Sequence, residues 1–280
     1  MAISRAQLVK ELEPGLNALF GLEYKRYENQ HAEIYTVESS DRAFEEEVML
    51  SGFANAEVKA EGSGVSFDEA QETYTARYTH DTIALAFAIT EEAIEDNLYD
   101  RLASRYTKAL ARSMSNAKQV KAAAPLNNGL SSVATFKAGD TVSLFSTNHT
   151  TVSGTAVKNT LTTQADLNET SLEQALIDIA GMTDERGLRV AARGVKMIIP
   201  SANQFNAERL TKSQGRTGTA DNDINASVSM GMIPQGYRVN NYLTDTDSWY
   251  IITDVPNGMK MFQRAALKTA MEGDFDTGNV

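Results

Sequence analysis

The sequence predicts an α+β protein organised around one very long helix. Three observations carry this. Apolar residues alternate with period two at Ile83–Ile89, and a four-residue apolar rhythm follows from Ile94 to Met114. Helix-like and strand-like segments then interleave from Ser171 onward.

Residues 2–22 have helical spacing (Leu8, Leu12, Leu16, Leu19) with an expected interruption at Pro14-Gly15. Glu23–Ser39 is polar and aromatic without helical periodicity, and fits either an extended arm or an ordinary peripheral segment. Between Ser40 and Ile89 the text becomes strand-like. Tyr74, Ala76 and Tyr78 alternate and lead into Ile83–Ile89, predicting a long hairpin with a loop at Glu61-Gly62-Ser63-Gly64.

Thr90 is placed to cap the long helix, with Glu91, Glu92, Glu95 and Asp96 in its first turns where the macrodipole favours acids. Ile94, Leu98, Leu102, Tyr106, Leu110 and Met114 advance by four and form the expected apolar stripe. A helix ending at Ala124, before Pro125 and Asn127-Asn128-Gly129, would be roughly 50 Å long at about 1.5 Å per residue. Leu130–Asn168 reads as loops with short strands. Ser171-Leu172-Glu173-Gln174 predicts a capping box, Val195–Ile199 a buried strand and Ser201 with Gln204 another helix start. Gln214–Asn225 has the composition of a loop. Strands are expected at Tyr237–Asn240, Trp249–Thr253 and Met259–Gln263, the last two joined as a hairpin through Pro256-Asn257-Gly258, and at Ala266–Met271.

The composition narrows function chiefly by exclusion. There is no cysteine, which removes thiol catalysis, disulfides and cysteine-ligated metals. The net charge of −11 argues against a general nucleic-acid binder, which needs clustered Lys and Arg. No apolar run approaches a membrane span, and Met1–Arg5 leads into amphipathic text rather than a signal core, so synthesis in the cytoplasm is expected. The Asn-x-Ser/Thr matches at Asn148, Asn168 and Asn225 are then read as chance. Phosphate-loop, dinucleotide and nucleophile-elbow motifs are absent, and His31, His80 and His149 do not share a metal-binding spacing. No catalytic, cofactor or metal residue is assigned.

Two charge patterns remain as candidate contacts. Arg101, Arg105, Lys108 and Arg112 share one helical face, suited either to a solvated surface or to DNA phosphates or an acidic patch on another subunit. Glu45, Glu46 and Glu47 form a solvated face or meet a basic patch on a neighbour. Lys59 is the only lysine between Lys25 and Lys108 and is grouped with them as a loop contact.

The order of arm, hairpin, long helix, mixed domain and late strands resembles the Hong Kong 97-type capsid fold of tailed-bacteriophage major head proteins. Thr79–Asn97 resembles the return of the family's extended loop into its spine helix, and Asn127-Asn128-Gly129 the turn that closes that helix. Leu144–His149 resembles an LFS-x-x-H segment, and Ile198-Ile199-Pro200 with Ala207–Leu210 a strand-to-helix step. Leu243-Thr244-Asp245 with Trp249 resembles an LTD-x-x-x-W strand entry.

The resemblance implies an N-arm at 1–38, an extended loop at 39–88 reaching over a neighbour, and a peripheral domain at 89–164 and 255–280 containing the spine helix. The axial domain would be 165–254, with the 214–225 loop at its tip. It further implies a non-enzymatic shell of hexamers and pentamers around double-stranded DNA, with a portal protein, scaffolding and decoration proteins as partners and only weak local DNA contacts. Assembly would occur in the host bacterial cytoplasm, and no membrane partner is expected. The chain begins without the N-terminal scaffolding segment some relatives carry, and relatives often continue past its last residues. An encapsulin-like nanocompartment shares the fold and stands as the alternative; a hydrolase using an acidic pair is the rival of another class.

Overall fold

The computed structural model describes residues 5–89, 99–216 and 223–270, with the backbone alone for 5–14, 99–102 and 134. The Thr90 cap, the acids and stripe residues at 91–98, the centre of the 214–225 loop and the tail from Met271 lie outside the described residues.

Helix α1 spans Arg5–Arg26 and passes through Pro14-Gly15 without a break, so the expected arm begins later than its composition indicates. A 3₁₀ turn at Gln30–Glu33 leads to β1 (Thr36–Ser39). The hairpin follows as β2 (Phe44–Leu50) and β3 (Glu72–Thr79), antiparallel with an irregularity between Val48 and Leu50. Ile83–Ile89 is not a strand: no described segment pairs with it, and Leu85 and Phe87 are exposed. Alternating apolar text gives a strand only where another edge is available to satisfy its backbone.

Helix α2 runs from Tyr99 to Asn127, roughly 43 Å at 1.5 Å per residue, three residues beyond the end expected at Ala124. Pro125 sits inside the last turn, where it lacks the N–H for the Lys121 carbonyl. Nearby carbonyls are served by tyrosines. The Tyr35 hydroxyl donates to the Ala122 carbonyl at 2.7 Å and the Tyr250 hydroxyl to Leu126 at 3.0 Å. Burial holds the Tyr35 phenol well above its ordinary pKa. Past the helix, Gly129 is required by packing, because a Cβ there would lie 2.3 Å from the Phe145 ring.

The buried face of α2 differs from the predicted stripe. Ala103, Thr107, Ala111, Ser115 and Gln119 are buried, whereas Tyr106 is 51% exposed and Leu110 and Met114 are half-buried. Small side chains let α1, which lies along α2, approach closely. Gln119 fixes the chain beyond α1, accepting from the His31 backbone N–H at 3.0 Å and donating to the Glu28 carbonyl at 3.2 Å. Tyr106 instead meets Phe87, with ring centroids 5.9 Å apart.

A short pair, β4 (His149–Thr150) and β5 (Ala156–Val157), precedes α3 (Glu169–Ala180). Asn168, not Ser171, caps α3. Its side chain accepts from the Ser171 N–H at 2.9 Å, while the Ser171 hydroxyl receives the Asn168 N–H at 3.0 Å. Beyond lie β6 (Gly194–Ile199), α4 (Gln204–Lys212), the single turn α5 (Ala226–Ser229) capped by Asn225, and β7 (Tyr237–Val239). The last strands are β8 (Tyr250–Thr253) and β9 (Lys260–Gln263).

Strand β6 is central in a three-stranded sheet, parallel to β7 and antiparallel to β8. The expected β8–β9 hairpin does not form. β8 takes an edge of β6, and the Pro256-Asn257-Gly258 turn, with Asn257 at φ 59°, carries the chain to a parallel pairing of β9 with β1. Ala266–Ala270 forms no strand and is exposed.

The two faces of β6 bury into different cores. Met197 and Ile199 join Leu167, Leu172, Leu176, Ala207 and Leu210, whereas Ile198 joins Ile34, Leu126 and Leu243. That double burial explains the unbroken apolar run in the sequence. Replacing Ile198, only 1% exposed, by Ala is expected to cost about 2–5 kcal/mol. Phe205→Ala at a 73% exposed site should change stability by less than about 0.5 kcal/mol, both read by urea denaturation.

Candidate assembly and contact surfaces

The hairpin is anchored at its root by the three consecutive glutamates. Glu45 accepts from the Ser40 hydroxyl at 2.6 Å, and Ser40 also lies 3.1 Å from His80 Nε2. Glu46 takes the Arg77 Nε–H at 2.7 Å, while the Arg77 guanidinium stacks 4.4 Å above the Phe44 ring. Glu47 pairs with Lys260 of β9 and accepts from the Tyr78 hydroxyl at 3.3 Å. Burial and this carboxylate together raise the Tyr78 pKa. Each glutamate therefore has a partner within its own chain, which ties β2 to β3 and β9.

Further out, Ser51 closes the ladder by a backbone bond to Gln71 at 2.8 Å and a hydroxyl that accepts the Gln71 N–H at 2.9 Å. Asp68 accepts the Ala54 N–H at 2.6 Å, and this bond in first place lowers its carboxyl pKa. Arg186, from the turn after α3, reaches across to the Gly52 carbonyl at 3.1 Å, to the Glu69 carbonyl and to Asp68 at 3.6 Å. A single guanidinium thus stitches both strands of the hairpin to the body.

Beyond that stitch the loop is open to solvent. Val58 is 100% and Phe67 98% exposed, with Phe53 and Val65 also exposed, and Lys59 lies among them. Several exposed apolar residues on one loop make it a candidate contact surface.

On α2, Arg105, Lys108 and Arg112 are exposed, and the Arg101 side chain lies outside the description. No described acid forms an ion pair with these three. Lys108 and Arg112 line a cleft of about 540 Å³ between α1 and α2, together with Glu23, Tyr27, Ser113 and Asn116. The basic row is visible in the sequence and the cleft is not, since α1 supplies its second wall. The 214–225 loop is closed at its neck by Gly215 opposite Ile224, and Arg216 pairs with Glu169 at 2.7 Å.

The histidines occupy unrelated places. His31 is buried beside Gln119 and Lys118, and its burial lowers its pKa. His80 is at the hairpin root, and His149 Nδ1 is 2.6 Å from Asp140. Among the described residues no group of three metal-ligating side chains converges.

The hairpin is anchored at its root and exposes apolar side chains beyond it, which makes it a candidate contact surface, and comparison with known families supplies the class of protein. The sequence profile of the phage capsid protein family matches residues 73–280, and the chain belongs to that family. Among solved structures it is similar to the bacteriophage JBD30 capsid, at 12% identity and TM-score 0.56 over 76% of this chain and 90% of that one. The JBD30 procapsid matches at 15% identity and TM-score 0.53, over 86% of this chain and 100% of that one. The JBD30 capsid decorated with minor capsid protein trimers matches at 12% and 0.57, over 78% and 92%. At these identities the likeness is one of fold. No curated protein matches.

Loss of the Arg186 stitch is expected to loosen the hairpin without unfolding the body. In Arg186→Ala, amide exchange at Ser51 and Gln71 should quicken about tenfold, the scale of one charge-assisted hydrogen bond. Exchange in β6 should stay unchanged.

Proposed function

We propose that this chain is the major shell subunit of a tailed-phage head, assembling into hexamers and pentamers that enclose double-stranded DNA. The observation that carries the reading is the hairpin, anchored to its own body by Glu47–Lys260 and Arg186 yet ending in fully exposed Val58 and Phe67. A free monomer gains nothing from such a tip. A neighbouring copy that covers it converts exposed apolar area into contact energy at about 25 cal/mol per Å².

In this reading residues 39–88 are the extended loop, α2 is the spine helix, 89–164 with 255–280 are the peripheral domain and 165–254 the axial domain. Residues 1–38 are the arm. Parallel pairing of β1 with β9 supports joining the arm to the peripheral strands, because Thr36–Ser39 completes the edge that Lys260–Gln263 presents. The subunit acts by repetition of modest interfaces in closed symmetry, with no chemical step. Portal, scaffolding and decoration proteins are the partners such a shell requires, and virion location follows from it.

Light scattering of the wild-type chain and of F53S/V58S/V65S/F67S tests this. The wild type is expected to form particles of megadalton mass. The variant should keep its circular dichroism and thermal midpoint within about 2 °C, since all four side chains are largely exposed in the monomer, yet remain at subunit size. Equal assembly by both would remove the hairpin tip from the mechanism.

A further inference from the structure

We propose that the cleft between α1 and α2 is a binding site for the phosphate backbone of nucleic acid. The inference rests on the shell reading only for where that polyanion comes from. Lys108 and Arg112 stand one helical turn apart, about 6 Å along the axis, so one run of backbone phosphates reaches both. Arg105 continues the row on the same exposed face. Ser113, Asn116 and the Tyr27 hydroxyl add neutral hydrogen-bonding groups at the cleft wall, the mixture that phosphate and sugar oxygens use.

The one carboxylate lining the cleft among the described residues is engaged. Glu23 lies 3.5 Å from Arg26 and accepts the Tyr27 hydroxyl at 3.3 Å, and Arg26 is itself largely exposed. The local charge is therefore positive in a protein whose net charge is −11. That contrast fixes the type of contact: a weak, local hold on a polyanion that the remaining surface repels.

An acidic polypeptide is the competing occupant, and the walls disfavour it. Ala109 is the only aliphatic residue lining the cleft among the described residues. A peptide that docks stably needs apolar anchors in pockets, and the acidic extended loop of a second copy would bring Phe53, Val58, Val65 and Phe67 to a surface with nowhere to bury them. A phosphate backbone has no such need.

The test measures binding of the full chain, kept dispersed at low concentration, to a fluorescent 20-base-pair duplex of arbitrary sequence across a range of NaCl. A poly-glutamate peptide is run alongside. Each phosphate contact contributes about 0.9 to the slope of log affinity against log salt, so K108Q/R112Q should be shallower than wild type by about 2 and at least tenfold weaker at 50 mM. R193Q/K268Q removes equal charge from exposed sites elsewhere and should keep both slope and affinity. N116D, which leaves both cations in place, should also weaken binding. Equal losses in the two double variants, no duplex binding by wild type, or tighter binding of poly-glutamate would each overturn the proposal. Particle formation is read separately by light scattering. Shells from K108Q/R112Q with lost DNA affinity separate this site from assembly, whereas a wild type that binds duplex but never assembles sinks the shell reading alone.

Discussion

The architecture depends on one strand being buried on both sides. Met197 and Ile199 are 0% exposed toward one core and Ile198 1% toward the other, so β6 is the wall both cores share. Its two hydrogen-bonding edges are filled by β7 and β8. A strand with both faces and both edges committed has no freedom left, and the elements around it inherit fixed positions. Gly194 shows how tight the fit is: a Cβ there would lie 2.9 Å from Leu176 and 3.0 Å from Ile251. The second core carries this rigidity outward, because Leu126 at the end of α2 and Ile34 before β1 pack on the face that Ile198 presents.

From that wall the structure passes to its projecting part through polar contacts. Lys196 of β6 holds Glu33 at 2.9 Å, which lowers the Glu33 pKa and fixes the entry to β1. β1 pairs with β9, and Lys260 of β9 grips Glu47 at the hairpin root. The sequence places these partners more than 160 residues apart, yet they form a connected path from core to hairpin. Rigid positioning of the root matters for a subunit whose contacts must repeat with the same geometry at every copy.

Much of this was legible in the residues and some was not, for physical reasons. The Val195–Ile199 run marks a buried strand and the Tyr74–Tyr78 alternation an arm of the hairpin, because burial leaves a direct mark on the sequence. The buried face of α2 was misplaced because its packing uses Ala103, Thr107, Ala111 and Ser115, which hydrophobicity does not single out, while Tyr106 of the expected stripe is exposed. The roles of Glu45–Glu47 were invisible for another reason. Their partners Ser40, Arg77 and Lys260 come from three separate segments. Likewise, local turn chemistry at Pro256-Asn257-Gly258 suggested a hairpin, but the free edges of β6 and β1 captured the two strands instead. Family text filled part of the gap, since the order of motifs indicated a capsid subunit where no single residue did.

In the proposed shell the hairpin is held by its own subunit at the root and covered by another copy at the tip, and single-particle imaging of the expressed wild-type chain tests this arrangement. Closed, uniform shells are expected, in which residues 53–67 lie across a neighbouring subunit while Glu47–Lys260 remains within one chain. A chain that stays monomeric, or shells in which the tip is exposed and touches no neighbour, would contradict it.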